Sequence, residues 1–310
     1  MTSVLGRYDA VVCDLDGVVY RGKDAVPHAV RALSDLTVPV VYATNNASRT
    51  PADVALHLER LGVPCREDQV VTSSDAAAWL LSRDLDGGSV LCVGGAGVGV
   101  AVRAHGFTPV APSDADDPEQ VVAVVQGYGP DVRASDLAQA AYAVEAGARW
   151  VATNTDGTLP TERGIAPGNG TLIAAVQRAV GRGPDVVAGK PESPLYDLAA
   201  ERLGVDAAKV LAVGDRLETD IEGAHAAGLD SVLVLTGVDD LEAALSADGP
   251  ARPTVVVPDL RWLQAPRDPS VEDLREALAA AYQARDSGTP SEAESAADQV
   301  RHLLSRAHSG

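Results

Sequence analysis

The sequence predicts an α/β fold built on a parallel sheet, and two observations carry that prediction. Short runs rich in β-branched residues alternate with Ala- and Leu-rich stretches of helical character, which is typical of repeated βαβ units. Polar and acidic residues directly follow several of the apolar runs, as expected where parallel strands end at a ligand-binding edge. At 310 residues, the chain is long enough for two domains of ordinary size.

The elements can be assigned in order along the chain. A strand over 9–13 precedes a helix over 27–36, in which Pro27 suits the first turn. A second buried strand over 39–43 leads to a helix over 51–61, which Gly62 closes. Further strands are predicted at 70–72, 89–93, 121–126, 150–153, 186–188, 210–213, 231–235 and 254–257. Further helices are predicted at 74–81, in a segment ending near 105, at 134–146 and, after a Gly- and Pro-rich loop, at 170–180.

Composition limits the partners and the compartment. The formal net charge of −19 argues against a nucleic acid or an anionic membrane, because both are polyanionic. A small phosphorylated metabolite stays compatible, since a bound divalent cation reverses the local field. No window approaches the length of a membrane span, and we expect no secretory signal at the N-terminus. Cys13, Cys65 and Cys92 lack metal-binding spacing and suit a reducing compartment, so we expect a cytoplasmic protein.

The run from Asp14 to Gly17 is the most informative feature of the sequence. Asp14 and Asp16 follow the apolar run 10–13 and are expected at the ligand-binding edge. Two close carboxyl groups cannot both ionise freely, so one is pushed to hold a proton while the other serves as nucleophile or metal ligand. Gly17 lets the chain turn away and is expected to expose backbone N–H groups to an anion. The alternative is a strand end with two solvated acids.

Three other polar stretches follow apolar runs and are expected at the same edge. Together the four supply what phosphoryl transfer needs: a carboxylate nucleophile, an acid/base, polar groups for the phosphate and a carboxylate for Mg²⁺. They are Asp14-Leu15-Asp16-Gly17, Thr44-Asn45-Asn46, Gly189-Lys190-Pro191 and Gly214-Asp215-Arg216-Leu217-Glu218-Thr219-Asp220.

Each of the later stretches also has a purely structural alternative. Thr44 suits the N-cap of a helix, and Lys190 suits an exposed loop. Asp215 and Asp220 suit the acidic start of a helix, where the macrodipole favours them. Four such stretches in order make the joint alternative much weaker than any single one.

In this order, the four motifs resemble those of the haloacid dehalogenase-like phosphatase superfamily, over the chain to about residue 265. The resemblance implies that Asp14 is the nucleophile and a Mg²⁺ ligand. Asp16 is implied as the general acid/base, with its backbone carbonyl on the metal, and its acidity favours ester hydrolysis over dehalogenation. Asp215 is implied as the remaining carboxylate ligand, supported by Asp220. The implied phosphate- or substrate-binding residues are Gly17, Thr44, Asn45, Asn46 and Lys190.

Some members of this superfamily carry an α/β cap between the Thr and Lys motifs, and residues 77–184 fit that insert in place and size. The segments TLPTERG and PGNG resemble the cap of the NagD and p-nitrophenylphosphatase-type subfamily. Together with TNNASR and GDRLETDIEGA, they resemble the actinobacterial glycerol 3-phosphate phosphatases most. Asn154, Asp156 and Arg163 are candidates to face the substrate, and the alternative for each is an ordinary turn residue.

The predicted fold class is therefore α/β: a doubly wound parallel-sheet (Rossmann-like) core with an inserted smaller α/β cap domain. The predicted domains are 1–76 and 185–265 for the core, 77–184 for the cap and 266–310 for a helical C-terminal tail. The tail is charged and helix-prone, so two helices docked on the core or on a partner and a partly disordered segment are both open. The glycine cluster 94–99 lacks the spacing of a dinucleotide site, and close packing of a helix on a strand within the cap explains it better.

The functional hypothesis is a Mg²⁺-dependent phosphatase that hydrolyses a small organic phosphomonoester through an aspartyl-phosphate. Glycerol 3-phosphate is the leading substrate, and pyridoxal phosphate, a nucleoside monophosphate and a sugar phosphate are the alternatives. A phospho-accepting signalling module is the alternative of another class, because it uses a similar set of groups but needs a persistent aspartyl-phosphate. A catalytically silent binding protein is the third. The resemblance leaves a homodimer through the cap open.

Overall fold

The computed structural model describes residues 4–161, 163–264 and 268–307. In that part of the chain the strands are β1 (Ala10–Cys13), β2 (Tyr20–Arg21), β3 (Asp24–Ala25), β4 (Val40–Thr44), β5 (Val70–Thr72), β6 (Ser89–Val93), β7 (Thr108–Val110), β8 (Val121–Gln126), β9 (Arg149–Ala152), β10 (Thr158–Thr161), β11 (Gly164–Pro167), β12 (Val186–Val187), β13 (Val210–Gly214), β14 (Asp230–Val234) and β15 (Val255–Val257). The α-helices are α1 (Ala29–Ser34), α2 (Pro51–Arg60), α3 (Ser73–Asp84), α4 (Ala96–Ala104), α5 (Ala134–Glu145), α6 (Asn169–Val180), α7 (Pro194–Leu203), α8 (Glu222–Ala226), α9 (Leu241–Ser246), α10 (Val271–Ser287) and α11 (Pro290–Ala307). Of the helices in the described ranges, none has the length and apolar character needed to cross a bilayer.

A six-stranded sheet has the order β15-β14-β13-β1-β4-β5, which confirms the predicted parallel α/β class. Strand β1 lies between β13 and β4 and pairs with both in parallel. All residues of β1 and of β13 are buried, as the continuous β-branched runs predict for a sheet covered on both faces. The register pairs Cys13 with Val213, so Asp14 and Gly214 leave the two strands at the same level.

Contacts divide the chain into two compact units. One comprises residues up to 43, His57–Cys65 and residues from 199, and the other comprises Thr44–Leu56 and Arg66–Leu198. The second unit is wider than the predicted insert at 77–184, whose bounds stay a prediction.

The second unit has its own five-stranded parallel sheet, in the order β12-β9-β8-β6-β7. Helices α5 and α6 pack together on a core that includes Leu91, Val124 and Ile173. Trp150 is fully buried in that core, and its indole N–H donates to Oε1 of Gln126 (3.1 Å), so burial of this polar group is compensated.

Two antiparallel hairpins and one edge strand lie where the sequence analysis assigned no strand. Strands β10 and β11 pair from Thr158↔Pro167 to Thr161↔Gly164, and most of their residues are exposed. Two prolines and a glycine interrupt the hydrophobic alternation that would mark a strand, so this segment reads as a loop. The hairpin β2–β3 has two residues in each strand, and β7 has three.

Helix boundaries differ from prediction for local reasons. Helix α1 begins at Ala29 and not at Pro27, because His28 has a left-handed φ of 69° that cannot continue a helix. Helix α3 begins at Ser73, where Thr72 and Asp75 form a capping box. The Asp75 N–H donates to Oγ1 of Thr72 (3.2 Å), and the Thr72 N–H donates to Oδ2 of Asp75 (2.9 Å).

The tail forms two helices that pack on each other, and α10 also packs on β15 and α9 of the first unit. Three carbonyls near the end of α9 accept hydrogen bonds from α10: Tyr282 donates to Ala244 (2.8 Å), and Arg285 donates to Leu245 (2.7 Å) and to Ala247. A helix end leaves carbonyls such as those of Leu245 and Ala247 without intrahelical partners, and the Ala244 carbonyl also accepts from the Ala247 N–H (3.1 Å). The tail is therefore docked on the first unit through directed polar contacts as well as apolar ones.

Candidate active site

Three carboxylates converge at the ends of β1 and β13. Asp14 follows β1, and Asp215 and Asp220 follow β13. One oxygen from each residue lies within 4.8 Å of the others. Asp215 and Asp220 are almost fully buried, with 1% and 3% of their surface exposed, and Asp14 is half-buried. The structure thus brings together three of the predicted acids from sequence positions about 200 residues apart.

The Asp215 carboxylate is fixed by backbone and by missing side chains. The Val238 N–H donates to its Oδ2 (2.8 Å). A Cβ at Gly17 or at Gly237 would overlap this carboxylate, so both positions require glycine for space. Gly17 also has a φ of 83°, which L-residues with side chains rarely adopt.

Asp220 holds the turn that carries Asp215. Its Oδ2 accepts from the N–H groups of Asp215 (3.2 Å) and Arg216 (3.1 Å). A turn of π-helix over Leu217–Ile221 brings Asp220 back to these donors. A Cβ at Gly214 would overlap the Asp220 side chain. Asp220 therefore serves as a brace as well as a member of the carboxylate cluster.

This donor set fits a hard divalent cation. Carboxylate oxygens are the ligands that Mg²⁺ prefers, and one or two of them with several waters is its usual protein site. Three carboxylates held this closely repel one another unless a cation compensates them. In the part of the chain that the structure describes, Asp14, Asp215 and Asp220 are placed to hold such an ion together with backbone carbonyls.

Asp16 and Gly17 lie beside the carboxylate cluster in different surroundings. The Asp16 side chain is exposed, is not part of the carboxylate cluster, and has one oxygen 3.5 Å from the Tyr20 hydroxyl. The Gly17 N–H donates to the Tyr20 carbonyl (2.8 Å). The expectation that Gly17 offers its own N–H to an anion therefore needs correction, because that N–H is already used within the turn.

In the second unit, Asn45 binds the backbone of Lys190 on both sides. Its Nδ2 donates to the Lys190 carbonyl (3.0 Å), and its Oδ1 accepts from the Lys190 N–H (2.8 Å). The Asn45 carbonyl in turn accepts from the Ser73 hydroxyl (2.7 Å) and from Nδ2 of Asn154 (2.8 Å). The Asn45 side chain, predicted to bind phosphate, is thus occupied with Lys190, and we call these paired bonds the Asn45 clamp.

Lys190 is not an exposed loop lysine. Only 2% of its surface is exposed, and its Nζ lies 5.7 Å from the centre of the Tyr196 ring. A buried ammonium is costly unless compensated, so this burial indicates a specific role.

Thr44 and Asn46 shape the loop after β4. The Thr44 hydroxyl accepts from the Asn46 N–H (3.1 Å), and Oδ1 of Asn46 accepts from the N–H (3.0 Å) and hydroxyl (2.8 Å) of Ser48. Thr44 does not cap a helix, because α2 begins at Pro51. The Asn46 side chain is exposed at the loop surface.

The three candidate residues of the cap loop differ in burial and in hydrogen bonding. Asn154 is buried, and its amide donates to Asn45 and accepts from the Asp156 N–H (3.2 Å), so it fixes the loop and does not extend towards a ligand. Asp156 is half-buried, and Arg163 lies exposed at the turn between β10 and β11. Asp156 and Arg163 stay candidates for substrate contact.

The glycine cluster brings the start of α4 close to backbone, and α4 also packs on strands β6 and β7, as predicted for a helix on a strand. A Cβ at Gly95 would lie 2.6 Å from the Ser48 carbonyl oxygen, and one at Gly97 would lie 2.5 Å from that of Ala47. Gly95 and Gly97 therefore lie against the loop at 47–49, which follows the Thr44 motif, whereas a Cβ at Gly94 would lie 2.9 Å from the Gly127 carbonyl oxygen.

One group of site residues was missed by the sequence analysis. Residues 236–239 follow β14 and contact both the turn at Gly17 and the Asp215 carboxylate. Their position after an apolar strand was the signal that could have found them, since the other site motifs share it.

Comparison with known proteins identifies the family. A haloacid dehalogenase-like hydrolase model matches residues 11–108, and a HAD-hydrolase-like model matches residues 187–263. A D-glycerol 3-phosphate phosphatase of Mycobacterium tuberculosis is 47% identical over 264 residues, which cover 85% of this chain and 73% of the relative. The chain therefore belongs to the haloacid dehalogenase-like hydrolases, as its motifs predict.

Two further comparisons, one of sequence and one of structure, agree with this family. A 5′-nucleotidase of Bacillus subtilis is 36% identical over 260 residues, covering 83% of this chain and 98% of the relative. The crystal structure of a glycerol phosphate phosphatase from M. tuberculosis in complex with magnesium matches with a TM-score of 0.81 and 44% identity, over 88% of this chain and 80% of that chain. These relatives confirm the predicted enzyme class, a phosphatase of this family.

Proposed function

We propose that this chain is a Mg²⁺-dependent phosphatase that hydrolyses a small organic phosphomonoester through an aspartyl-phosphate on Asp14. The observation that carries the proposal is the convergence of carboxylate oxygens from Asp14, Asp215 and Asp220 within 4.8 Å. Bound there, Mg²⁺ would hold phosphoryl oxygens and offset the charge that develops on them. The family and the magnesium complex of a 44% identical structure support the choice of metal.

Asp14 and Asp16 divide the chemistry. A carboxylate oxygen of Asp14 attacks phosphorus as the ester bond breaks, and Asp16 gives its proton to the leaving alkoxide. Asp16 then takes a proton from water, whose oxygen attacks the same phosphorus. The Asp14–phosphorus bond breaks, inorganic phosphate leaves, and both carboxyl groups return to their starting states. The exposed position of Asp16 suits a group that exchanges a proton with leaving group and water in turn.

Two substitutions test this division of roles. Asp14→Asn removes the nucleophile, so Mg²⁺-dependent hydrolysis of p-nitrophenyl phosphate should fall by at least about 10⁴-fold. Asp16→Asn should spare the first step with p-nitrophenyl phosphate, because nitrophenolate leaves without protonation, and should slow attack by water. That variant should release a burst of nitrophenolate equal to the enzyme concentration and then turn over slowly. Full activity in Asp14→Asn would exclude the mechanism.

On the phosphate side, we infer direct roles for Thr44 and Lys190 and an indirect one for Asn45. The family resemblance supports the first two, and the burial of Lys190 agrees with a designated partner for its ammonium. Because both ends of the Asn45 amide bind the Lys190 backbone, Asn45 is a positioning residue. Asn46 stays a candidate at the loop surface.

Glycerol 3-phosphate is the substrate we propose first. It is supported by the 47% identical D-glycerol 3-phosphate phosphatase, whereas the 36% identical 5′-nucleotidase supports a nucleoside monophosphate less strongly. Pyridoxal phosphate and sugar phosphates complete the set of alternatives. Measurement of kcat/KM over these four classes decides among them, and a preference of tenfold or more for another class would replace the leading substrate.

The alternative of a signalling module predicts a different lifetime for the acyl-phosphate. A receiver needs the acyl-phosphate to persist, whereas the role proposed for Asp16 is to activate water that removes it. If the wild-type chain holds a labelled phosphoryl group for minutes without releasing phosphate, the signalling alternative is correct. A chain that is neither labelled nor releases phosphate would be a binding protein.

We also infer a reducing, cytoplasmic location and keep the homodimer through the cap as a hypothesis. None of Cys13, Cys65 and Cys92 forms a disulfide, which supports the first. Fractionation of cells that express the chain tests the location, and light scattering of the purified chain tests the oligomeric state.

A further inference from the structure

The loop that follows β14 contacts both carboxylate-bearing turns of the first unit. We call residues 236–239 the β14 loop. The Thr236 hydroxyl donates to the Gly17 carbonyl (2.8 Å), at the end of the turn that carries Asp14. The Val238 N–H donates to the Asp215 carboxylate (2.8 Å), and the Asp239 N–H donates to the Asp215 carbonyl (3.0 Å).

Asp239 completes the connection with its side chain. Its Oδ2 accepts from the Leu217 N–H (2.6 Å), at the start of the π-helical turn that leads to Asp220. A carboxylate on a backbone N–H is a charge-assisted bond and stronger than a neutral one. The loop therefore binds the turn that carries Asp14 through Thr236. It binds the turn that carries Asp215 through Val238 and Asp239.

These bonds fix the position of Asp215 relative to Asp14. Strand pairing places Asp14, whose N–H donates to the Val213 carbonyl (2.9 Å), and the β14 loop adds the bonds that hold the Asp215 carboxylate and the Gly17 turn. Without the loop, mutual repulsion would move the carboxylates apart in the metal-free protein. With it, the oxygens stay at a spacing that suits one cation.

We propose that Thr236 and Asp239 are positioning residues for the metal-binding carboxylates, an inference that rests on the proposed function. Neither touches the substrate or supplies an atom to the reaction. Groups that orient metal ligands typically change metal affinity about 10- to 100-fold when they are removed. We therefore expect the Mg²⁺ dissociation constant to rise about tenfold in Thr236→Val and in Asp239→Ala.

Conservative variants separate orientation from general stability. Thr236→Ser keeps the hydroxyl donor and should bind Mg²⁺ nearly as wild type does. Asp239→Asn keeps an oxygen that accepts from the Leu217 N–H but loses its charge, so its Mg²⁺ affinity should lie between those of wild type and Asp239→Ala. Thr254→Val is the matched control. It removes a threonine oxygen that accepts from the Ser231 N–H (3.0 Å) between β14 and β15, away from the carboxylates.

A second pair of variants tests the same geometry by adding a methyl group, either beside the Asp215 carboxylate or away from it. Gly237→Ala adds a methyl that would overlap the Asp215 carboxylate and must displace it. Gly99→Ala, on helix α4, meets only an ordinary contact at 3.9 Å with Pro109. Gly237→Ala should lose Mg²⁺ affinity at least as strongly as Thr236→Val, and Gly99→Ala should not.

The experiment is titration calorimetry with Mg²⁺ on each full-length variant, with Tm measured in EDTA and across a Mg²⁺ series. Support is a weaker Mg²⁺ dissociation constant and a smaller Mg²⁺-dependent rise in Tm in Thr236→Val, Asp239→Ala and Gly237→Ala, while Thr254→Val only lowers the Tm in EDTA. Mg²⁺ affinities within twofold of wild type in those three variants would overturn the inference. If wild type itself binds no Mg²⁺, the proposed function fails instead. If a variant does not fold, the Thr236→Ser titration decides, because loss of Mg²⁺ binding in a variant that keeps the hydroxyl donor contradicts the hydrogen-bond argument.

Discussion

The Asn45 clamp predicts that Asn45 acts on phosphate only through Lys190. Asn45→Ala removes two hydrogen bonds to the Lys190 backbone, of 3.0 and 2.8 Å. Each is worth about 1 kcal/mol net, and a buried group left without its partner adds to that cost. We expect a loss of about 2 to 3 kcal/mol in transition-state binding, or roughly 30- to 160-fold in kcat/KM at 1.36 kcal/mol per tenfold.

A double-mutant cycle with Lys190→Met distinguishes positioning from direct contact. If Asn45 only places the ammonium, Asn45→Ala should have little further effect once that ammonium is gone, so the two losses should not add. If Asn45 binds phosphate itself, the losses should add within about 0.5 kcal/mol.

The assay is kcat/KM for p-nitrophenyl phosphate and glycerol 3-phosphate at saturating Mg²⁺, with inhibition by inorganic phosphate as a measure of anion affinity. The Mg²⁺ dissociation constant serves as the control, because neither residue belongs to the carboxylate cluster. Additive losses with unchanged Tm would refute the clamp and restore Asn45 as a phosphate ligand.

Three further predictions concern the metal, a thiol and the tail. Asp215→Asn should abolish Mg²⁺-dependent stabilisation without lowering the Tm in EDTA. The substitution removes one of three carboxylates that repel one another, and the amide oxygen can still accept from the Val238 N–H. A clear fall of the Tm in EDTA would contradict this reasoning. Burial raises the pKa of Cys92 from 9.0 to about 12, so alkylation at pH 8, followed by mass spectrometry, should be about 10³-fold slower than for an exposed thiol; labelling at the rate of free cysteine would be the contrary result. The hydrogen bond from Arg301 lowers the pKa of Glu242 below 4.5. Wild type should therefore have a higher Tm than Arg301→Gln above pH 4.5, and this difference should vanish as the pH falls through the folded-state pKa of Glu242. A difference in Tm that persists at pH 2 would show that charge pairing is not its source.

The sequence could place the site because its motifs follow apolar strands. Strands of a parallel sheet end at one edge, and the register Cys13↔Val213 sets Asp14 level with Gly214. The alternation of apolar runs and helical stretches was enough to predict both the sheet and the approach of Asp14 to Asp215.

What the sequence could not predict is which polar atoms are already used within the protein. Asn45 and Lys190 are 145 residues apart, and Thr236 and Gly17 are 219 apart, so nothing local marks their bonds. The sequence therefore predicts ligand-binding amides at Asn45 and Asn154, although in the structure both amides are hydrogen-bonded to backbone groups. The hairpin β10–β11 was missed for a related reason, since backbone pairing alone defines it and its residues are mostly exposed.

The close hydrogen bonds from backbone to the acids of this site require glycine at neighbouring positions. A backbone N–H neither titrates nor changes rotamer, so carboxylates held by the N–H groups of Asp215, Arg216 and Val238 have little freedom to move apart. Such close approach of carboxylate to backbone leaves no room for a Cβ, and glycine stands at Gly17, Gly214 and Gly237, where one would overlap Asp215 or Asp220. A glycine just after a buried strand, opposite an acid on the neighbouring turn, is thus a mark of a rigid carboxylate site. In this chain Gly237 carries that mark in the β14 loop, which supplies the site with hydrogen bonds and space and with no atom that reacts.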